Sequence, residues 1–245
     1  MRELSKSIMR RQREPNFMTK YFVGEGLDIG GFPDPLSLYT ELFPLCRSVQ
    51  IWDWEDGDAQ LLAGVPEDCF DFIISSHCLE HLNDPEEGLE NWIRVTKPGG
   101  HIVITVPDED LYEQGTWPSN KNLDHKKTFT ILKKRSWSPN SLNLVELIAK
   151  FSEEVEIRKI EVLDASYRYE MPNYDQTATP IGESAIEVIL RKRTMNEVKN
   201  GTNRVSSGKQ PSASLRRYFN QYLSDYIGMK NMNSGDKPFS NEAEL

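Results

Sequence analysis

Residues 68–108 read DCFDFIISSHCLEHLNDPEEGLENWIRVTKPGGHIVITVPD, and this run decides the fold. Phe70 to Ser76 is a short apolar stretch of the kind found in strands covered on both faces. Asp84 followed by Pro85 predicts a helix start, with Glu86 and Glu87 in the first turn, where the helix dipole favours negative charge. Leu89, Trp92, Ile93 and Val95 give that helix a buried stripe. Lys97-Pro98-Gly99-Gly100 predicts its stop, and His101–Asp108 the next apolar strand.

Outward from this run the same alternation extends from Gly26 to about Arg193, the pattern of an α/β sandwich. GLDIG (26–30) and SVQIWD (48–53) predict two strands. Between them DPLSLYTELFP (34–44) predicts one or two helical turns capped by Asp34. SPNSLNLVELIAKF (138–151) predicts a helix with a Ser/Pro start, and EVEIRKIEVLD (154–164) and SAIEVILRKR (184–193) the last two strands. Residues 108–140 are polar and lack periodicity, as expected of a substrate-capping insertion.

The organisation expected is a basic N-terminal segment (1–22), a main domain (23–193), a flexible linker (194–214), and a C-terminal helix and tail (215–245). Apolar residues at helical spacing in LRRYFNQYLSDYIGM (215–229) suit a helix that docks on its own domain or pairs two copies in a homodimer. Residues 23–190 carry 13 bases against 31 acids, which argues against a nucleic-acid surface. The basic ends are expected to fold back on this acidic body. No apolar run is long enough to span a membrane. Cys46, Cys69 and Cys78 are three scattered cysteines, so a reducing, cytoplasmic setting without disulfides is expected. No CxxC or HExxH spacing announces a metal. Asp108, Glu109 and Asp110 read as a solvated loop, so no metal is expected there.

Gly30 and Gly31 close the first strand, but no G-x-G-x-x-G follows it and no Gly-Lys-Ser/Thr loop is present. Asp28, inside the strand end, would repel a pyrophosphate and suit a cationic ligand. Asp53 ends the second strand, where an acid can accept both ribose hydroxyls. Trp54 offers a flat face to a purine, and Asp58 beside Ala59 can meet an exocyclic amine. A ligand with a ribose, an adenine and a cationic amino-acid tail is S-adenosylmethionine.

With GLDIGG, SVQIWDWEDGDAQ and the run at 68–108 in place, the sequence resembles class I S-adenosylmethionine-dependent methyltransferases over residues 20–190. More narrowly, PDEDLYEQGTWPSNKNLDHKKTFT (107–130) is similar to small methyltransferases associated with bacterial surface-polysaccharide biosynthesis. The resemblance implies a Rossmann-like sandwich with a mainly parallel sheet and an antiparallel last strand. It implies that Asp28, Gly30 and Gly31 underlie the methionine part and ribose. Asp53 would hold the ribose hydroxyls, Trp54 would flank the adenine, and Asp58 and Ala59 would meet its edge. Ser76 and His77, ending the family's fourth strand, would approach the methyl group.

Two departures stand out. Phe32 occupies the place of the family's second glycine, and the short span from Asp53 to Asp58 leaves no room for the usual helix. Either that helix and the third strand are reduced, or Asp56 competes with Asp58.

Methyl transfer is an in-line displacement in which the protein positions and excludes water. A hydroxyl acceptor must also lose a proton. Of the four histidines, His81 reads as a turn-fixing residue and His101 as structural. His77 lies near the methyl site, and His125, in the long segment 108–140, is the candidate general base. Asp124, adjacent in sequence, need not touch it. Trp117, Asn120, Asn122 and Lys126 are candidate acceptor contacts. The expected reaction is methylation of a hydroxyl on a sugar or glycan intermediate. The alternatives are a small amine or phosphorylated metabolite as acceptor, or a noncatalytic scaffold that keeps the fold.

Overall fold

A computed structural model describes residues 2–131, 133–171, 175, 178–201 and 227. The chain divides into a unit Met1–Gly201 and a unit Thr202–Leu245. The linker read at 202–214 and the helix and homodimer contact read at 215–245 lie outside the described residues, Ile227 excepted.

In chain order, α1 (Leu4–Arg13) and a wide turn at Phe17–Tyr21 precede β1 (Gly24–Ile29). A 3-10 stretch at Leu36–Leu42 leads to β2 (Cys46–Trp52), followed by β3 (Phe70–Ser76), α2 (Pro85–Val95) and β4 (Thr96–Pro107). Then come β5 (Thr128–Thr130), β6 (Ser141–Asn143), α3 (Leu144–Ala149), β7 (Val155–Leu163), β8 (Ala185–Lys192) and α4 (Met195–Asn200).

Six strands form one sheet in the order β2-β1-β3-β4-β8-β7. The β1–β2, β1–β3 and β3–β4 pairs are parallel, and β8 runs antiparallel to both β4 and β7. This is the expected mainly parallel α/β sandwich. Side chains alternate between its faces. Ile73, Ile102 and Val188 join one apolar layer with Trp92 and Phe129, while Phe72, Val103 and Ile189 join another with Leu4, Ile8, Phe17 and Phe43. Residues 1–22, separated from the main domain by their charge pattern, therefore help to build the second layer. Their basic residues do fold back: Arg10 pairs with Glu183 and Glu187, and Arg11 with Glu187.

α2 starts as its residues dictate, with Asp84 Oδ1 accepting from the backbone N–H groups of Glu86 and Glu87. Other local expectations are corrected. Asp34 caps no helix; its carboxylate accepts instead from Ser5 N and Tyr39 Oη. Lys97–Gly100 belong to β4 and not to a separate stop, because α2 ends at Val95 and the extended backbone begins at once. The helix read from Ser138 begins only at Leu144. Residues 141–143 are drawn into a parallel pair with β5, and Asn143 provides the cap. Residues 195–200, read as linker, form α4, held by a reciprocal capping box between Thr194 and Glu197.

Candidate active site

The elements converge at the carboxyl ends of β1, β2 and β3, where open α/β sheets collect ligands. A cavity of about 590 Å³ lies there, lined by Asp28, Gly30, Gly31, Asp53, Trp54, Asp58, Ala59, Ser76 and His77. His125, Asn122 and Lys126 line the same cavity, whereas Trp117 and Asn120 are not among its lining residues.

The first loop takes its shape from three groups. Gly30 has φ +73°, and a Cβ there would lie 2.8 Å from Cys78 Cβ, so the position needs glycine on both counts. Asp28, fully buried, accepts from Leu36 N at 2.6 Å, and burial pushes its carboxyl up to about 7 against the pull of that bond. Asp53 accepts from Trp54 N at 2.8 Å and from Phe32 N at 2.9 Å. That second bond explains how the loop turns without a second glycine: the Asp53 carboxylate pins the Phe32 backbone while the phenyl ring faces solvent, 73% exposed.

Beyond Asp53 the usual helix and third strand are missing, and residues 53–69 run as turns. Asp56 is committed to this turn, accepting from Asp53 N at 2.9 Å. Trp52 Nε1 donates to Gly57 O and Trp92 Nε1 to Ala59 O, so two indoles anchor the loop that carries Asp58. Asp58 Oδ1 accepts from Gln60 N at 2.8 Å. Trp54 stands 88% exposed at the rim.

His77 follows β3 with φ +57°, in the left-handed region that is strained for a residue with a side chain. Its backbone N–H donates to Thr105 O. Burial works against its charge, but contact with Glu80 and the charge of Glu3 raise it above the ordinary histidine value.

The other wall of the cavity joins residues distant in sequence. The N–H groups of Lys126 and Lys127 both donate to Glu80 O, which brings His125 against the turn at 79–81. His125 Nδ1 lies 2.6 Å from Glu113 Oε1, and its Nε2 lies 3.8 Å from Glu80 Oε1. His81 Nδ1 lies 3.0 Å from Asp124 Oδ2, and its Nε2 lies 3.9 Å from Glu80 Oε1. His77 Nδ1 is 3.5 Å from the same oxygen. Tyr112 packs on His125 with ring centroids 5.2 Å apart. Asp124 thus serves His81, while the partner of His125 is Glu113. Burial alone would raise the Glu80 carboxyl; His77, with His81 and His125, holds it below the usual range.

Glu3, Glu80, Tyr112 and Glu113 were not among the residues singled out. Glu80 left one trace, an acid inside an apolar pattern; Glu113 left none. His101, read as structural, packs edge-on against Tyr21, and burial lowers it to about 4. Glu109 corrects the solvated-loop reading: it is buried and bonded to Lys133, Ser136 and Thr128.

Residues 42–104 match the family described as "Methyltransferase domain". A curated relative, ajmaline N-methyltransferase from Rauvolfia serpentina, is 30% identical over 93 residues, 37% of this chain. That stretch spans 31% of the relative's own length. Among solved structures, a SAM dependent methyltransferase from Archaeoglobus fulgidus aligns with TM-score 0.46 and 19% identity, covering 78% of this chain and 95% of that one. N-methyltransferase NodS from Bradyrhizobium japonicum WM9, in complex with S-adenosyl-L-homocysteine, aligns with TM-score 0.44 and 14% identity over 78% of this chain and 86% of that one. Among the described residues no helix is long and apolar enough to cross a membrane.

Proposed function

We propose that this domain transfers a methyl group from S-adenosylmethionine to a hydroxyl of a sugar or glycan intermediate. The observation that carries the reading is the convergence of the first-loop residues, Asp53, Asp58 and His77 with His125 in one cavity. The cofactor's ammonium would meet Asp28, its ribose Asp53, and its adenine Trp54 and Asp58. Its sulfonium carbon would then point toward Ser76 and His77. Acceptor contacts fall to Asn122 and Lys126, which line the cavity, with Trp117 and Asn120 further along the same segment.

Alignment in such a cavity can supply about 7–11 kcal/mol of the barrier. With Nδ1 of His125 committed to Glu113, Nε2 is the nitrogen left to take the acceptor's proton, and Glu113 would stabilise the resulting imidazolium. The acid-rich lining, with Glu3, Asp28, Asp34, Asp53, Asp58, Glu80 and Asp124, opposes a phosphorylated acceptor. It is compatible with a small amine. An amine acceptor is the second reading, favoured by the relative named an N-methyltransferase.

Calorimetric titration with S-adenosylhomocysteine, with NAD as control, tests the cofactor assignment. Micromolar binding of the former alone is expected, and its absence would overturn the reading. His125→Ala is expected to keep that affinity and lose turnover by about 10²–10⁴-fold with a hydroxyl acceptor. Undiminished turnover would remove His125 from the chemistry.

A further inference from the structure

Glu80 poses a problem of electrostatics. It is fully buried, and its nearest polar partner, His77 Nδ1, stands 3.5 Å from Oε1, at the limit of a hydrogen bond, while Oε2 has no hydrogen-bond partner among the described residues. A buried carboxylate without partners is costly, so native proteins pair such groups or place them on a cation. The groups facing Glu80 Oε1 are imidazole nitrogens, and two of them share an arrangement. His81 and His125 each turn Nδ1 toward an oxygen of their own, on Asp124 and Glu113. A neutral imidazole that donates from Nδ1 carries a lone pair on Nε2. With the Glu80 carboxylate, two such lone pairs make a converging set of donor atoms that a cation can occupy.

We propose that Glu80 Oε1, His81 Nε2 and His125 Nε2 bind a divalent transition-metal cation at the acceptor end of the cavity. One donor atom from each of the three residues can be chosen so that all lie within 4.8 Å of one another. Oε1 is 3.9 Å from His81 Nε2 and 3.8 Å from His125 Nε2. Bonds of about 2.1 Å in a tetrahedral shell would put neighbouring donors roughly 3.4 Å apart, so the site needs to contract by about half an ångström. The Nδ1 contacts to Glu113 and Asp124 are the outer-shell bonds that fix the tautomer and orientation of metal-binding histidines.

Two nitrogens and one carboxylate leave positions open for other ligands. Since Glu80, His81 and His125 all line the cavity, those positions face the acceptor. The ligand class they suit is a hydroxyl with a second oxygen beside it, as in a vicinal diol, chelating the ion through both. With the ion bound, its charge acidifies the hydroxyl and the released proton passes to solvent water, so the ion takes over the task that His125 Nε2 performs in the metal-free protein. Only this last role rests on the methyltransferase reading; binding of the ion does not.

The test is titration of full-length, chelator-stripped protein with Co²⁺ alone and Zn²⁺ alone, followed by calorimetry and, for cobalt, visible absorption. One equivalent of each should bind. Nitrogen and oxygen ligation should give Co²⁺ a d–d band, which Zn²⁺ should displace. Glu80→Gln and His81→Ala should each weaken binding at least tenfold, and Glu113→Gln by 10–100-fold. S-adenosylhomocysteine affinity in these variants should match the wild type, which also reports that they fold. No saturable binding, or binding indifferent to Glu80→Gln and His81→Ala, overturns the site even if the homocysteine product still binds. Metal binding in a protein that does not bind the product would support the site and refute the cofactor reading.

Discussion

The Asp28 carboxyl is buried beside the cavity at the strand ends, and its pH behaviour follows from that position. Its folded value of about 7 lies above the unfolded value of about 3.9, so the native state holds the proton more tightly. Stability from this group is therefore full below about pH 4 and is lost as pH rises toward 7, by up to about 4 kcal/mol. Asp28→Asn should be more stable than wild type at pH 8 and similar to it at pH 4, as read by urea denaturation without ligand. A cationic ligand would favour the ionised form. Titrations with S-adenosylhomocysteine should then show about tenfold weaker binding at pH 6 than at pH 8, a dependence that Asp28→Asn abolishes. Gly30→Ala combines left-handed strain with a clash on Cys78. We expect it to destabilise by about 1–3 kcal/mol and to lower cofactor affinity, by thermal unfolding and calorimetry respectively. The special role of Gly30 was legible because strand, acid and glycine are neighbours in sequence. The pinning of Phe32 by Asp53 was not, since the two meet only after β1 and β2 pair.

Among the elements, α1 shows how far a segment's role can differ from its composition. Its arginines suggested complementarity to the acidic body, and the structure makes that specific. Arg11 is completely buried against Glu187 of β8, with Arg10 and Lys159 around the same carboxylate. Burial alone would raise the Glu187 carboxyl, but Arg11 and Arg10 hold it at about 2. The stabilisation from this depressed value is present above about pH 4.5 and fades as pH falls toward 2. Arg11→Ala leaves the buried acid short of its partner and is expected to cost about 3–5 kcal/mol at pH 7, with a smaller loss near pH 3, measured by denaturant unfolding. α1 also carries Leu4 and follows Glu3, both at the cavity. α2 stands at the other extreme. Its cap, first-turn acids and buried stripe all lie within one window, and its bounds matched the reading to a residue. β6 and α3 were misread together, because 141–143 are extended only by pairing with β5.

For the whole molecule, both apolar layers are built from residues between Leu4 and Leu190, inside the unit Met1–Gly201. We propose that this unit is the complete folding and cofactor-binding domain. Truncation after Gly201 should leave thermal unfolding and S-adenosylhomocysteine affinity unchanged. Ligand at a hundred times its dissociation constant should add about 2.7 kcal/mol to either form. A truncated chain that fails to bind would assign part of the site to residues 202–245. The α/β class, the six strands of the large sheet, α2 and the strand-end residues that share one cavity were written in the sequence. Strand periodicity, caps and strand-end acids are local, and an open α/β sheet puts strand ends side by side. Only the tertiary structure decided the other wall of the cavity. Glu80, Glu113 and His125 belong to different segments with no shared period, and they meet because the Glu80 carbonyl takes the N–H groups of Lys126 and Lys127. A contact of that kind depends on how a loop returns to the sheet, which no spacing along the chain encodes.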